Sequence, residues 1–216
     1  HGERTATGVL LKGVDPELMP KVLDLPRHIV AGSLEGMRKA GAKPPEAPRV
    51  KRGVKFATAG GDDLLLDLYL PERPTPPIGL IVWVHGGAWR AGSRASVELV
   101  GLTERGWAIA SVDYRLSTVA RFPAQVHDIK AAIRYLRAHA AEHGYPPGRV
   151  VIAGSSAGGH LAALVGVSNR HPELEGAVGE ARGSSDVQAI VSLYGASNLT
   201  SILSQSTPHG LSVRAP

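Results

Sequence analysis

Two kinds of hydrophobic pattern alternate along this chain. Continuous apolar runs fill residues 79–84 (Gly-Leu-Ile-Val-Trp-Val), 107–112, 149–153 and 187–194. A run without polar alternation suits a strand buried on both faces. Between the second and third runs, Val126, Ile129, Ala132, Ile133, Leu136 and Ala140 recur at the 3.6-residue period of a helix. This spacing predicts a helix over 124–142, stopped by Gly144 and Pro146. Residues 156–167 read as a second helix, rich in small side chains, and a shorter one is expected at about 94–105. Upstream, 50–58 and 64–70 read as two strands joined at Gly60-Gly61-Asp62-Asp63, a hairpin signal. Buried strands alternating with helices predict a three-layer α/β/α domain with a mostly parallel sheet, preceded by the antiparallel hairpin. Further upstream, Leu18, Val22, Leu23, Ile29, Val30, Leu34 and Met37 lie at roughly helical spacing, with Pro26 dividing the segment. The domain division is therefore a helical segment over 1–48 and an α/β core over 49–216.

Composition narrows the function classes. Of 216 residues, 43% are apolar and 20% charged, enough apolar content for one packed domain. The net charge is +5. The densest basic cluster, Arg49, Lys51, Arg52 and Lys55, is interleaved with apolar residues, as on the solvent face of a strand. Only 5% of residues are aromatic, which leaves few platforms for stacking bases. A solvated basic surface is the reading, with no nucleic-acid partner. No apolar run is long enough for a transmembrane helix. The chain has no Cys, which excludes disulfides, thiol catalysis and thiolate-bound zinc. No H-E-x-x-H, Walker or G-x-G-x-x-G sequence is present, so no metal and no organic cofactor is implied.

Two motifs carry chemistry. Gly154-Ser155-Ser156-Ala157-Gly158 matches G-x-S-x-G and falls between a buried strand and a helix, the context a nucleophile elbow demands. Such a turn strains the serine backbone and admits only small neighbours. It also places the hydroxyl at a helix N-terminus, where backbone N–H groups favour developing negative charge. Ser156 is the candidate nucleophile. His85-Gly86-Gly87-Ala88-Trp89 directly follows the first buried parallel strand. Without a Cβ, Gly86 and Gly87 let their N–H groups approach a substrate oxygen; with Ala157 they form a candidate three-donor oxyanion hole. His85 is read as a brace for this loop, and Trp89 as either pocket wall or substrate contact.

These motifs, together with Asp113-Tyr114-Arg115-Leu116-Ser117, Phe122-Pro123-Ala124-Gln125 and the extension Gly159-His160, resemble the hormone-sensitive-lipase-like branch of the α/β-hydrolase esterases. The resemblance spans about residues 50–200. It implies a serine that attacks an ester carbonyl, an oxyanion hole in the glycine-rich histidine motif, and a small-molecule ester as substrate. It also implies that residues 1–48 form part of a helical cap, and that Asp113 is structural. Ala88 stands where the family often has a third glycine.

A serine needs a base, and the base an orienting acid; the family's order is Ser, then acid, then His. Downstream of Ser156 the carboxylates Glu173, Glu175, Glu180 and Asp186 all precede the last apolar run, and Asn198 offers only an amide. The histidines are His160, on the helix itself, His171 and His209. In the resembling family the acid and base follow two further strands that this sequence does not contain. Three readings stay open. The chain is a piece of a complete esterase; it is a truncated hydrolase scaffold that binds without catalysis; or His160 or His209 serves as an improvised base. In each, the last strand is expected to lie at an open sheet edge, available to a missing C-terminal segment or another subunit.

Overall fold

The computed structural model describes residues 47–72, 76–180 and 182–202. Six strands form one sheet in the order β1-β2-β4-β3-β5-β6. β1 (Arg49–Ala59) and β2 (Asp62–Leu70) make the expected hairpin, and β2 pairs antiparallel with β4 (Trp107–Val112). β3 (Gly79–Val84) lies parallel between β4 and β5 (Val150–Ser155), and β6 (Ala189–Leu193) runs parallel to β5 at the edge. The helices are α1 (Ala124–Ala138), α2 (Ala140–His143), α3 (Ala157–Val167) and α4 (Pro172–Glu175). The helical cap expected over 1–48 lies outside the described residues except for 47 and 48, as does His209.

The unbroken apolar runs have a direct cause. Along β3, Leu80, Val82 and Val84 join a core with Ile129 and Ile133 of α1 and Leu161 and Val165 of α3. Ile81 and Trp83, pointing the other way, join a second core with Ile109 and with Leu99 and Leu102. Each face of the strand is buried, so alternation would have put a polar group into one core or the other. The basic residues of β1 are solvent-exposed, and three are ion-paired: Lys51 with Glu142, Arg52 with Asp67 and Lys55 with Asp63.

The open edge expected for the last strand is present among the described residues: β6 pairs only with β5, and its Ile190 and Val191 are 38% and 40% exposed. Two expectations need correction. The helix expected over 124–142 breaks at His139, which leaves helical geometry with its ring stacked on Tyr135. The helix expected near 94–105 forms only a 3₁₀ turn at Val100–Arg105, closed by Gly106 at φ 87°. Its first residues are drawn elsewhere, because the Arg94 N–H donates to Asp113 Oδ1 at 2.7 Å rather than entering a helix.

Buried charge fixes the connection that follows α3. Lys130 of α1 is fully buried, and its ammonium donates to Glu175 Oε1 (2.7 Å) and the Ser168 carbonyl (2.6 Å). Arg134, one turn further along, donates to Glu175 and to the carbonyls of Val178 and Glu180. Asp128, also fully buried, accepts the N–H of Arg115 (2.9 Å) and a forked pair from its guanidinium (2.9 and 2.7 Å). Such pairs satisfy groups whose burial alone is costly.

Candidate active site

β5 ends at Ser155, and the chain turns at Ser156 directly into α3. Ser156 has φ 54° and ψ −122°, outside the regions a serine ordinarily occupies. Conformations of this kind cost about 1–3 kcal/mol and persist where the surroundings over-determine them. The surroundings here are tight. A Cβ on Gly158 would press into the carbonyl oxygens of Val84 and His85, so α3 starts in contact with the end of β3. The Ser156 N–H donates to the Leu193 carbonyl at 2.9 Å, and its carbonyl accepts the N–H of His160. Ser155 and Ala157 on either side are buried, whereas Ser156 is exposed. The turn thus presents one hydroxyl above the sheet at a helix N-terminus.

The loop after β3 lies beside this hydroxyl. A Cβ on Gly86 would stand 3.3 Å from Ser156 Cβ and 3.0 Å from the Ser155 carbonyl oxygen. Gly87 (φ 109°), Ala88 (φ 53°) and Trp89 (φ 61°) follow with positive φ, and the Gly87 carbonyl accepts the N–H groups of Arg90 and Ala91 at 3.0 Å. Among the described residues, the N–H groups of Gly86, Gly87 and Ala157 donate to no protein acceptor. Gly86 thus lies against Ser156, with Ala157 next to it on the elbow and Gly87 next along the loop. Ala88 adopts the left-handed backbone that a third glycine would occupy without strain.

His85 is the loop's brace. It is 2% exposed, its Nδ1 lies 2.7 Å from the Gly86 carbonyl, and its ring stacks on Tyr114 at 4.4 Å. The Tyr114 hydroxyl donates back to the His85 carbonyl at 3.1 Å. Burial holds the His85 imidazole below its usual range and pushes the Tyr114 phenol well above its own. Trp89 is partly buried and meets the His160 ring edge-on at 5.4 Å. Burial also lowers the His160 pKa, and its Nδ1 is buried without a partner.

Several candidates are committed elsewhere. Asp113 accepts the N–H and the guanidinium of Arg94, a structural role as the resemblance implied. Glu175 is held by Lys130, Arg134 and Ser185, and Asp186 pairs with Arg170. Asn198 Oδ1 accepts from Thr200 and Ser201 in a local turn. Among the described residues, no imidazole hydrogen-bonds to Ser156.

Sequence reasoning missed Arg94 and Glu98. Arg94 bridges Asp113 at the end of β4 and Asp67 of β2, the latter at 3.0 Å, and so ties the glycine-rich loop to two strands. Glu98 reaches Ser155. Neither stands in a local motif; only the three-dimensional pairing reveals them.

The neutral, buried imidazoles carry a pH prediction. His85, His143 and His160 all have pKa values lowered by burial from the usual 6.5. The unfolded chain takes up protons at these rings at higher pH than the folded chain does. Their contribution is complete above 6.5 and is lost as pH falls below that value toward the folded-state pKa values. The thermal midpoint is expected to fall between about pH 7 and about pH 5. A midpoint that holds or rises over that interval would contradict it.

The BD-FAE family profile matches residues 66–215. The chain is 38% identical over 141 residues to the esterase LipC of Mycobacterium tuberculosis, covering 62% of this chain and 35% of LipC. It is 32% identical over 196 residues to LipQ, an esterase of the same organism, covering 84% of this chain and 45% of LipQ. Among solved structures it is similar to Thermogutta terrifontis esterase 2 phosphorylated by paraoxon, with 31% identity and a TM-score of 0.57, over 73% of this chain and 61% of that one. The chain thus spans less than half the length of the two mycobacterial relatives. With a mostly parallel sheet, a strained serine turn and a glycine loop beside it, this chain belongs to the BD-FAE family, within the hormone-sensitive-lipase-like α/β-hydrolase esterases.

Proposed function

We propose that the chain carries the nucleophile and oxyanion hole of a serine carboxylesterase acting on small or short-chain acyl esters. One observation carries the reading: Ser156 is an exposed hydroxyl in a strained turn at the start of α3, with the Gly86 backbone beside it. Ser156 Oγ attacks the ester carbonyl carbon and passes its proton to a general base. The carbonyl π electrons move to oxygen, where the N–H groups of Gly86, Gly87 and Ala157 receive the charge. Losing one such donor typically costs about 3 kcal/mol of transition-state stabilisation. Collapse expels the alcohol with the proton returned by the base, and water then hydrolyses the acyl-enzyme. The base and its acid partner are assigned to sequence beyond residue 216, consistent with the fraction of LipC that this chain spans. Trp89, braced on His160, is assigned to the pocket wall against the substrate.

The absence of an imidazole on Ser156 among the described residues also suits a scaffold that binds without catalysis. Turnover by the full-length gene product separates the two. With p-nitrophenyl esters, kcat/KM for acetate and butyrate is expected to exceed that for palmitate by at least about tenfold. Equal or better turnover of palmitate would overturn the short-chain assignment, and no turnover by folded protein would favour the binder.

A further inference from the structure

Ser156 is not the only L-residue held at positive φ beside this site. Tyr194, the residue after β6, has φ 41°. The two turns are joined by the hydrogen bond from the Ser156 N–H to the Leu193 carbonyl, 2.9 Å. One main-chain bond does not explain why two unfavourable backbones stay in place, since each must be over-determined by its neighbours. Glu98 supplies a second link. Its Oε1 accepts the Ser155 hydroxyl at 2.6 Å, and its two carboxylate oxygens lie 3.4 and 3.3 Å from the Tyr194 hydroxyl. Ser155 is only 4% exposed, so its hydroxyl needs an acceptor, and the acceptor it has is Glu98.

Glu98 itself is exposed and belongs to neither core. It does, however, lie on the same loop as Gly86 and Gly87, beyond the point where Arg94 anchors that loop to β2 and β4. Its carboxylate thereby joins three segments: the loop of oxyanion donors, the residue before the nucleophile and the residue after β6.

We propose that Glu98 is a positioning residue for ester hydrolysis, fixing the nucleophile turn against the oxyanion loop through Ser155 and Tyr194. The proposal rests on the assignment of Ser156, Gly86, Gly87 and Ala157 made above. Its physical content is registry. Ser156 Oγ and the Ala157 N–H sit on the elbow while the Gly86 and Gly87 donors sit on the loop after β3, and catalysis requires all of them placed to within a few tenths of an ångström around one substrate carbonyl. An exposed carboxylate linking the two loops sets that spacing while contributing little to burial.

The test uses the full-length gene product and a short p-nitrophenyl ester, with active sites counted by organophosphate titration. Glu98→Ala is expected to lower kcat per titrated site by about ten- to a hundredfold, with KM within about threefold. Glu98→Gln, which keeps an acceptor for Ser155 and offers a donor to Tyr194, is expected to recover most of that loss. Ser155→Ala, which leaves the Glu98–Tyr194 contact, is expected to lower kcat by no more than Glu98→Ala does, and the double variant to be no worse than Glu98→Ala, because that change already removes the link to Ser155. Additive losses, or an unchanged kcat per titrated site in Glu98→Ala, would overturn the proposal. So would a fall in thermal midpoint that accounts for the lost activity while titrated sites turn over normally. Ser156→Ala in the same series tells the two readings apart: if it keeps full turnover, the nucleophile assignment has failed, whatever Glu98 does.

Discussion

Replacing Ser156 by alanine in the full-length gene product is expected to remove ester hydrolysis by on the order of 10,000-fold or more, with folding intact. Losses of that size follow removal of a nucleophile that acts in concert with its base, and the residue left behind by the oxyanion donors and binding is small. The structure gives a reason to expect intact folding. Ser156 is exposed, and the bonds that fix its turn are main-chain bonds: its N–H to Leu193 and its carbonyl to His160. Its side chain has no hydrogen-bond partner among the described residues, so alanine removes the reacting atom and no structural contact. Steady-state hydrolysis of a short p-nitrophenyl ester beside a thermal melt checks both halves. A variant that retains more than about a tenth of the parent kcat would place the nucleophile elsewhere.

The second large effect is on stability, and it sets two glycines of one helix against each other. Gly158→Ala and Gly166→Ala are the same chemical change in α3, and helix propensity alone favours each by about 1 kcal/mol. Their neighbours reverse the outcome at one of them. At Gly158 the new methyl would meet the carbonyl oxygens of Val84 and His85, both backbone, at the junction of β3, the glycine loop and the elbow. Nothing there can turn aside, so β3 and α3 must separate. At Gly166 the methyl would meet the side-chain end of Ile190, on an edge strand where that residue is 38% exposed. A rotamer change relieves it. Gly158→Ala is expected to destabilise by about 3 kcal/mol or to leave the protein insoluble, and Gly166→Ala to fall within about 1 kcal/mol of the parent. Urea unfolding measures the difference. Equal stabilities would mean that the elbow is packed less closely than these contacts indicate.

What the sequence made legible follows from what is local. The runs at 79–84 and 107–112 read as strands buried on both faces because every position along them except Gly79 and Ser111 meets one core or the other. The elbow was readable because its requirements lie within five residues: a strand end, small neighbours and a helix start. The glycine loop after β3 was readable for the same reason, and the left-handed backbone at Ala88 shows where the family's usual glycine fits. What stayed hidden was long-range. Glu98 and Ser155 are 57 positions apart, and Lys130 and Glu175 are 45 apart. No local pattern marks either pair. Lys130 even sits on the helix whose apolar period was read from the sequence, and its full burial depends on the segment that returns over it. The open edge of β6, by contrast, agrees with what the sequence led us to expect. Its composition states what it is suited to bury, while the described residues show which neighbour it has.

The central claim is that Ser156 is an activated nucleophile, and an organophosphate tests it most directly. Paraoxon at modest excess, followed by digestion and mass spectrometry of the full-length gene product, is expected to give one diethylphosphoryl group per chain, on the peptide containing Ser156. The adduct should form in step with loss of hydrolysis and be absent from Ser156→Ala. An adduct on any other residue, or complete loss of hydrolysis with Ser156 unmodified, would contradict the account.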